Sequence, residues 1–141
     1  MMVSVVLIGI LASITIPKYL ELHRRAMRAE PLPNLRAIGV AEQAYFATME
    51  SWRAAGPNPE TPVGPVARAF ERGRPDWTVL GWYPGGPVRC SYSATVLDHG
   101  DHVRADALCD LDGDRQVMLL RYEVPAGDRQ GEFLDLYPER F

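Results

Sequence analysis

The first sixteen residues of the chain form an almost unbroken apolar run, which ends at Pro17 and Lys18. Nine of the sixteen are Val, Ile or Leu, and on an insertion scale these nine contribute about −3 to −5 kcal/mol. A helix of this length spans about 24 Å, whereas the hydrocarbon core of a bilayer is about 30 Å thick. The run therefore predicts a membrane anchor that falls slightly short of a full span.

Two other interpretations of the run compete with an anchor. A secretory signal peptide would begin with basic residues and end in small residues at a cleavage site, but this run has no leading Lys or Arg and ends in Ile-Pro-Lys. A buried core helix would need surrounding sequence to cover all of its sides. The predicted anchor residues are Val3, Val5, Val6, Leu7, Ile8, Gly9, Ile10, Leu11, Ile14, Ile16 and Pro17.

A second helical pattern follows the anchor and is amphipathic. Two prolines, Pro31 and Pro33, would kink or break a continuous helix, at about 3 kcal/mol each in an intact interior. We therefore expect a bend near residues 30–33, with Asn34 capping a new helix start. The apolar positions of the second half recur at helical spacing and are expected to pack on a sheet: Leu35, Ile38, Ala41, Tyr45 and Met49.

The remaining sequence predicts a small β-sheet head. Residues 51–76 are rich in Pro and Gly and read as a connecting loop, with a short helix at residues 66–72. Alternation of apolar and polar residues then predicts strands. The predicted segments are 77–83, 88–96, 102–109 and 116–124, with a terminal strand or tail at 131–141.

The two cysteines of the chain lie on neighbouring predicted strands. If His99 and Gly100 are the central residues of a tight hairpin, counting outward places Cys90 opposite Cys109. Directly opposed residues have Cα separations of about 4.5 to 5.5 Å, within disulfide range, and the bond would contribute about 3 kcal/mol. The register favours a disulfide, and two unpaired buried cysteines are the alternative.

Three aspartates after the second of these strands resemble the start of a calcium loop. Asp110, Asp112 and Asp114 alternate around Gly113, which suits oxygen ligation of Ca²⁺. The twelfth position of such a loop, however, is Arg121 rather than a bidentate Glu. A solvated turn is the alternative, and calcium is the one cofactor that the sequence suggests.

Charge and motif content point away from nucleic acid and from enzymatic chemistry. The formal net charge is −3, so no basic field favours nucleic acid as a partner. The three histidines, His23, His99 and His102, do not have the spacing of metal ligands. The sequence contains neither a phosphate-binding glycine loop nor a nucleophile motif, and we do not expect an enzyme.

The segment VVLIGILASITIPKYLELHRRAMRAEPLPNLRAIGVAEQAYFA resembles the N-terminal helix of type IV pilins and of the pseudopilins of type II secretion. The similarity covers about 50 residues, a third of the chain. It is carried by Gly9, the Ile-Leu-Ala-Ser-Ile run at residues 10–14, Pro17, Tyr19, Leu20, Asn34, Leu35 and the cluster Ala44, Tyr45 and Phe46. Pro31 and Pro33 depart from the straight helix of most members of the family.

The resemblance implies an α+β pilin fold, in which a long N-terminal helix packs against a small antiparallel β-meander. The implied organisation is a membrane or filament-core half-helix at 1–17, its amphipathic continuation at 18–50, a connecting loop at 51–76 and a sheet head at 77–141. Family precursors carry a cleavage glycine, a methylated first residue and an assembly glutamate. These would lie upstream of Met1, and none can be assigned to a residue of this chain.

The implied function is that of a structural subunit, a major or minor pilin of a filament. Its implied partners are copies of itself, other pilins, the lipid bilayer, and the assembly platform and motor of the inner membrane. The implied location is the bacterial inner membrane, with the head outside the cytoplasm, and then the cell surface. The alternatives are a type II secretion pseudopilin, a tethered binding module that never polymerises, and a membrane-anchored enzyme.

Overall fold

A computed structural model describes residues 2–60, 64–97, 100–126 and 130–140. The fold is α+β, with a long N-terminal helical region joined to an antiparallel sheet, as predicted. The elements in chain order are α1 (Met2–Met27), α2 (Pro31–Met49), β1 (Ala55–Asn58), α3 (Pro75–Leu80), β2 (Cys90–Leu97), β3 (His102–Cys109), β4 (Met118–Pro125) and β5 (Glu132–Asp135).

The sheet is an open antiparallel meander of five strands, in the order β1-β2-β3-β4-β5. In the β2–β3 pair, Val96 lies opposite Val103 and Cys90 lies opposite Cys109, so the register expected from the sequence is confirmed. His99, the predicted first central residue of the hairpin, lies outside the described residues. Each of β3 and β4 pairs along its full length with the strand before it.

Helix α2 packs on one face of the sheet through its buried side chains Leu35 and Ile38. Gly39 lies so close to β4 that an added Cβ would be 2.5 Å from the Tyr122 ring. The apolar stripe that the sequence predicts is confirmed at its start and is wrong at its end. Met49, the last residue of α2, is exposed.

The two long helices are separated by an interruption of the helical hydrogen bonding at residues 28–30, immediately before Pro31. Because Pro31 and Pro33 carry no N–H group, they suit the first turn of a new helix. The predicted cap is wrong. Glu30, not Asn34, takes the cap position, and it makes no side-chain capping bond. The Asn34 amide instead donates a hydrogen bond to the Tyr92 hydroxyl, at 2.8 Å.

The structure corrects the predicted elements between the second helix and the first long strand. Residues 77–83 do not form a strand: α3 begins at Pro75 and ends at the left-handed Gly81, and it buries Trp77 and Leu80, three residues apart. Residues 66–72 do not form a helix, and Arg68 there makes an isolated bridge with Val88. The short strand β1, at residues 55–58, has no counterpart in the prediction.

Candidate functional site

The most unusual surface of the molecule is the apolar half of α1. The described Val, Leu and Ile side chains between residues 5 and 16 are 54 to 70% exposed. An 18-residue window of this helical region has a mean hydropathy of 1.7 and no buried residue, which makes the region long and apolar enough to cross a membrane. These predicted anchor residues therefore form one uncovered surface. Val3 belongs to α1, but its side chain lies outside the described part of the structure.

The polar side chains of this half of α1 bond to the backbone of their own helix. Ser13 Oγ donates to the carbonyl oxygen of Ile10 at 2.7 Å, and Thr15 Oγ1 donates to that of Leu11 at 2.8 Å. Such bonds matter in hydrocarbon, where an unsatisfied hydroxyl costs several kcal/mol. Pro17 lies inside α1 without ending it. The segment is therefore chemically suited to an apolar medium.

The junction between this helix and the head is held by polar contacts. The Arg28 guanidinium bonds to the Asp135 carboxylate at 2.7 Å, to the Tyr137 carbonyl oxygen at 3.1 Å and to the Pro138 carbonyl oxygen. Arg24 lies 3.8 Å from Asp112 in the loop between β3 and β4. The end of α1 is thus attached to two separate parts of the head.

Glu30, at the start of α2, adds a third attachment. Its carboxylate accepts one hydrogen bond from the backbone N–H of Arg89 at 2.8 Å and another from the Arg89 guanidinium at 2.9 Å. Arg89 immediately precedes β2. The break between the helices is therefore fixed relative to the sheet, although the helical bonding itself is interrupted there.

A cavity of about 400 Å³ opens beside this junction, between the helix break and strands β4 and β5. Five of its lining residues are apolar and three are charged. The lining residues are Arg25, Arg28, Ala29, Leu32, Met118, Leu120, Phe133 and Asp135.

The predicted disulfide is confirmed. Cys90 and Cys109 are bonded, with their Cα atoms 4.4 Å apart, and both are fully buried. The bond joins β2 to β3 on the face that α2 covers. It links two of the three eight-residue strands of the head.

The predicted calcium residues are brought together by the structure. One carboxylate oxygen from each of Asp110, Asp112 and Asp114 lies within 4.8 Å of the others. All three side chains also accept backbone N–H bonds from the same loop: Asp110 from Gly113 at 2.8 Å, Asp112 from Asp114 at 3.3 Å and Asp114 from Gln116 at 2.7 Å. The oxygen set fits a hard cation, and the internal bonds equally fit a closed turn, so calcium binding stays a prediction.

The side chain at the twelfth position of this loop points elsewhere. Arg121 Nε donates to Asp106 at 2.8 Å on β3, and Arg104 Nε donates to the same carboxylate at 3.1 Å. Of the three histidines, His23 stacks on Tyr19 of α1 and His102 begins β3, and His99 lies outside the described residues.

Sequence reasoning missed one buried acid, Glu42 on α2. Its side chain is fully buried. One carboxylate oxygen accepts the Arg53 N–H at 3.0 Å, and the other has no hydrogen-bond partner in the described structure. Burial raises the pKa of Glu42 to about 7, against the smaller effects of the Arg53 N–H bond and the Arg53 charge. Glu42 lies at helical spacing from Leu35 and Ile38, on the buried stripe of α2. This spacing was the signal in the sequence that could have predicted its burial.

Comparison with known proteins gives no match for this chain among family models, curated proteins or solved structures.

Proposed function

We propose that the chain is a structural subunit of a type IV pilus-like filament, which it enters through the apolar half of α1. The observation that carries the proposal is the exposure of this helix on all sides while its other end is attached to a folded head. A long apolar helix that carries a small antiparallel head is compatible with a pilin-like architecture.

The exposed apolar surface is too large to stay in water. Complete burial of a fully exposed Val, Leu or Ile side chain contributes about 1.5 to 3 kcal/mol. Because the eight side chains here are 54 to 70% exposed, together they favour an apolar environment by about 7 to 15 kcal/mol. They are Val5, Val6, Leu7, Ile8, Ile10, Leu11, Ile14 and Ile16. The lipid bilayer is the first environment that meets this requirement.

Transfer from lipid into a filament needs a different driving force. Lipid tails are as apolar as Leu, so helices associate in this setting through close packing and hydrogen bonds. Gly9 and Ser13 are small residues four positions apart on α1, and an added Cβ at Gly9 would meet no heavy atom within 4 Å. This surface supports close approach of a second helix, and the proposed partner is a copy of the same chain or another pilin.

The location and further partners of the proposed subunit follow from the family resemblance. It is inserted in the bacterial inner membrane with its head outside the cytoplasm, and it then becomes part of a filament on the cell surface. The assembly platform and motor of the inner membrane would extract it from the bilayer.

A pseudopilin of a type II secretion system is the second candidate, and the clustered oxygens of Asp110, Asp112 and Asp114 favour it. Calorimetric titration of the full chain in detergent with Ca²⁺ tests this candidate. A binding heat that the Asp112→Asn variant abolishes would favour the pseudopilin. A signal that is absent from both proteins would remove the reason for preferring it.

The filament proposal is tested in the native bacterium with an epitope on the head. We expect the wild-type chain both in the membrane fraction and in filaments sheared from the cell surface. Gly9→Leu adds bulk to the helix surface without lowering its hydrophobicity, so membrane insertion should persist while the filament yield falls at least tenfold. The matched control Leu7→Ile should change neither membrane insertion nor filament yield.

N-terminal sequencing of the sheared protein completes the test, because the resemblance implies a processed and methylated first residue. A wild-type chain found only in membranes, in cells that do assemble filaments, would contradict the proposal. It would leave a tethered binding module as the function.

A further inference from the structure

We propose that Lys18 and Arg25 form a binding site for the phosphate of an anionic membrane phospholipid, at the level where α1 leaves the bilayer. The inference rests on the proposed membrane anchoring of α1, and it names the lipid class that this helix recognises. It uses two cations for which the described residues show no ion pair with the head.

The charge of the chain is divided unevenly between helix and head. The first 28 residues hold four of the fifteen Lys and Arg residues but only one of the eighteen acids. This segment therefore carries +3 and the remaining residues carry −6. An anionic membrane surface attracts the segment next to the anchor and repels the head, so the membrane-proximal cations are the groups that meet lipid phosphate.

Lys18 and Arg25 lie on the same face of α1. They are seven residues apart, nearly two helical turns, which separates their Cα atoms by about 10 Å along the axis. Side chains of a helix tilt toward its N-terminus, so Arg25 reaches back toward Lys18 and toward the membrane. Both side chains are exposed, that of Arg25 by 65%.

The height of these residues above the apolar segment matches the headgroup layer. Ile16 is the last residue of the apolar run, and Lys18 lies about 3 Å and Arg25 about 14 Å beyond it along the helix. The polar layer of one leaflet is about 5 to 8 Å thick, and the Arg25 side chain tilts back into it. Tyr19, also exposed here, is of the residue type enriched at this boundary.

The present partner of Arg25 is easily replaced. Arg25 bonds to Glu21 at 2.6 Å within the same helix, and both side chains are largely exposed. Exposed pairs of this kind contribute little to stability. A phosphate presents more acceptor oxygens than a carboxylate and accepts two parallel bonds from a guanidinium, so it replaces Glu21 without leaving a buried group unpaired.

The neighbouring arginines, Arg24 and Arg28, contact acidic and carbonyl groups of the head. Arg24 faces Asp112 at 3.8 Å, and Arg28 is bonded to Asp135 and to two carbonyl oxygens of the tail. In the described ranges, no ion pair engages Lys18. Arg24 and Arg28 thus orient the head, whereas Arg25, which lines the cavity beside Arg28, pairs with Glu21 of its own helix.

Native mass spectrometry of the full chain, released from micelles with equal amounts of phosphatidylglycerol and phosphatidylcholine, tests the site. One cation near an anionic surface changes lipid preference about fivefold, so wild type should retain phosphatidylglycerol about 25-fold better. Lys18→Gln and Arg25→Gln should each lower this preference about fivefold. Glu21→Gln, which removes the competing carboxylate, should raise it. Arg72→Gln, the same charge change on an exposed residue of the head, should leave it unchanged.

The outcomes separate the site from the anchor when the same proteins are also floated with vesicles of phosphatidylcholine alone. Wild type that floats with the vesicles but retains both lipids equally would overturn the site and leave the anchor intact. If Arg72→Gln lowered the preference for phosphatidylglycerol as much as Lys18→Gln does, the preference would depend on net charge alone, and this result would also overturn the site. Wild type that does not float would overturn the anchor and the inference with it.

Discussion

The guanidinium of Arg28 lies 2.7 Å from the carboxylate of Asp135, which joins the end of the first helix to the last strand of the sheet across 107 positions of sequence. The same guanidinium holds the carbonyl oxygens of Tyr137 and Pro138. The Arg28 side chain is only 18% exposed, so these bonds are partly shielded from water. One arginine thus joins the end of α1 both to strand β5 and to residues 137–138.

Replacing Arg28 should therefore loosen the junction without unfolding the head. We expect Arg28→Ala to lower the free energy of unfolding by about 1 kcal/mol, because Asp135 and the tail carbonyls regain water when the arginine is lost. Hydrogen exchange of residues 136–140 should accelerate. Arg25→Ala, whose side chain is exposed, should change stability by less than about 0.5 kcal/mol in detergent. Unchanged exchange of the tail would contradict the role given to Arg28.

The buried carboxyl of Glu42 should make the head less stable as the pH rises. Its pKa is raised from 4.5 to about 7 in the folded chain, so the folded state holds a proton that the unfolded state releases. The stabilisation from the protonated form is complete below pH 4.5 and is lost as the pH rises to about 7. The total loss is roughly 3 kcal/mol.

Urea denaturation between pH 4.5 and 8 measures this dependence. Glu42→Gln keeps an acceptor for the Arg53 N–H and removes the titrating group. The variant should match wild type near pH 4.5 and exceed its stability by roughly 3 kcal/mol at pH 8. Glu139→Gln, an exposed residue of the tail, is the control and should follow wild type. If the free energies of unfolding of wild type and Glu42→Gln changed with pH in the same way, the Glu42 carboxyl would already be ionised in the folded state.

The close approach of α2 to the sheet predicts an intolerance of side chains at position 39. An added Cβ would lie 2.5 Å from Tyr122 Cε1 and 3.1 Å from Val124 Cγ2. Tyr122 has little room to retreat, because Gly131 lies beside the other end of its ring, where an added Cβ would be 2.5 Å from Tyr122 Cζ. Gly39→Ala should cost about 1 to 2 kcal/mol of stability, since overpacking outweighs the gain in helix propensity.

A matched glycine provides the comparison for this test. An added Cβ at Gly73 would meet no heavy atom within 4 Å, so Gly73→Ala should be neutral to within about 0.5 kcal/mol. Thermal denaturation of the two variants measures the difference. Equal stability would mean that the helix can shift away from Tyr122.

Removal of the disulfide should weaken the head measurably. Cys90 and Cys109 close a loop with a sequence separation of 19 residues, for which the entropic contribution is about 3 kcal/mol. We expect the double variant Cys90→Ala, Cys109→Ala to lose about this amount in urea denaturation and to retain the sheet by circular dichroism. A loss below about 1 kcal/mol would show that strand pairing alone fixes this register.

The parts of the fold that sequence predicts well are those set by local pattern. The β2–β3 register follows from alternation on both sides of one turn, so the pairing of Cys90 with Cys109 could be counted outward from the turn. The apolar segment of α1 is equally local, because its composition alone marks it as long and apolar enough to cross a membrane. The burial of Leu35 and Ile38 follows from helical spacing.

The parts that sequence predicts poorly depend on distant contacts. Residues 77–83 are rich in aromatic and branched side chains, which favour strands, but Pro75 and Gly81 delimit a helical turn that buries Trp77. Strand β1 includes Gly56 and Pro57, which are poor strand formers, and it is held by pairing with β2. The bond of Arg28 to Asp135 and the burial of Glu42 depend on which surfaces meet in the finished fold.

The strand order of the sheet also determines the order in which its contacts can form during synthesis. From β2 onward every strand pairs with the strand that precedes it in the chain. Each newly synthesised strand can therefore pair at once with the edge of the existing sheet, and local pairings of this kind form quickly. The bonds of Arg28, in contrast, need residues 135–138, which lie at and after the end of β5. The attachment made by Arg28 is therefore completed only after strands β1 to β4 have been made, so a chain cut before residue 135 would keep the pairing of these four strands and the Glu30–Arg89 contact but lose the bonds of Arg28.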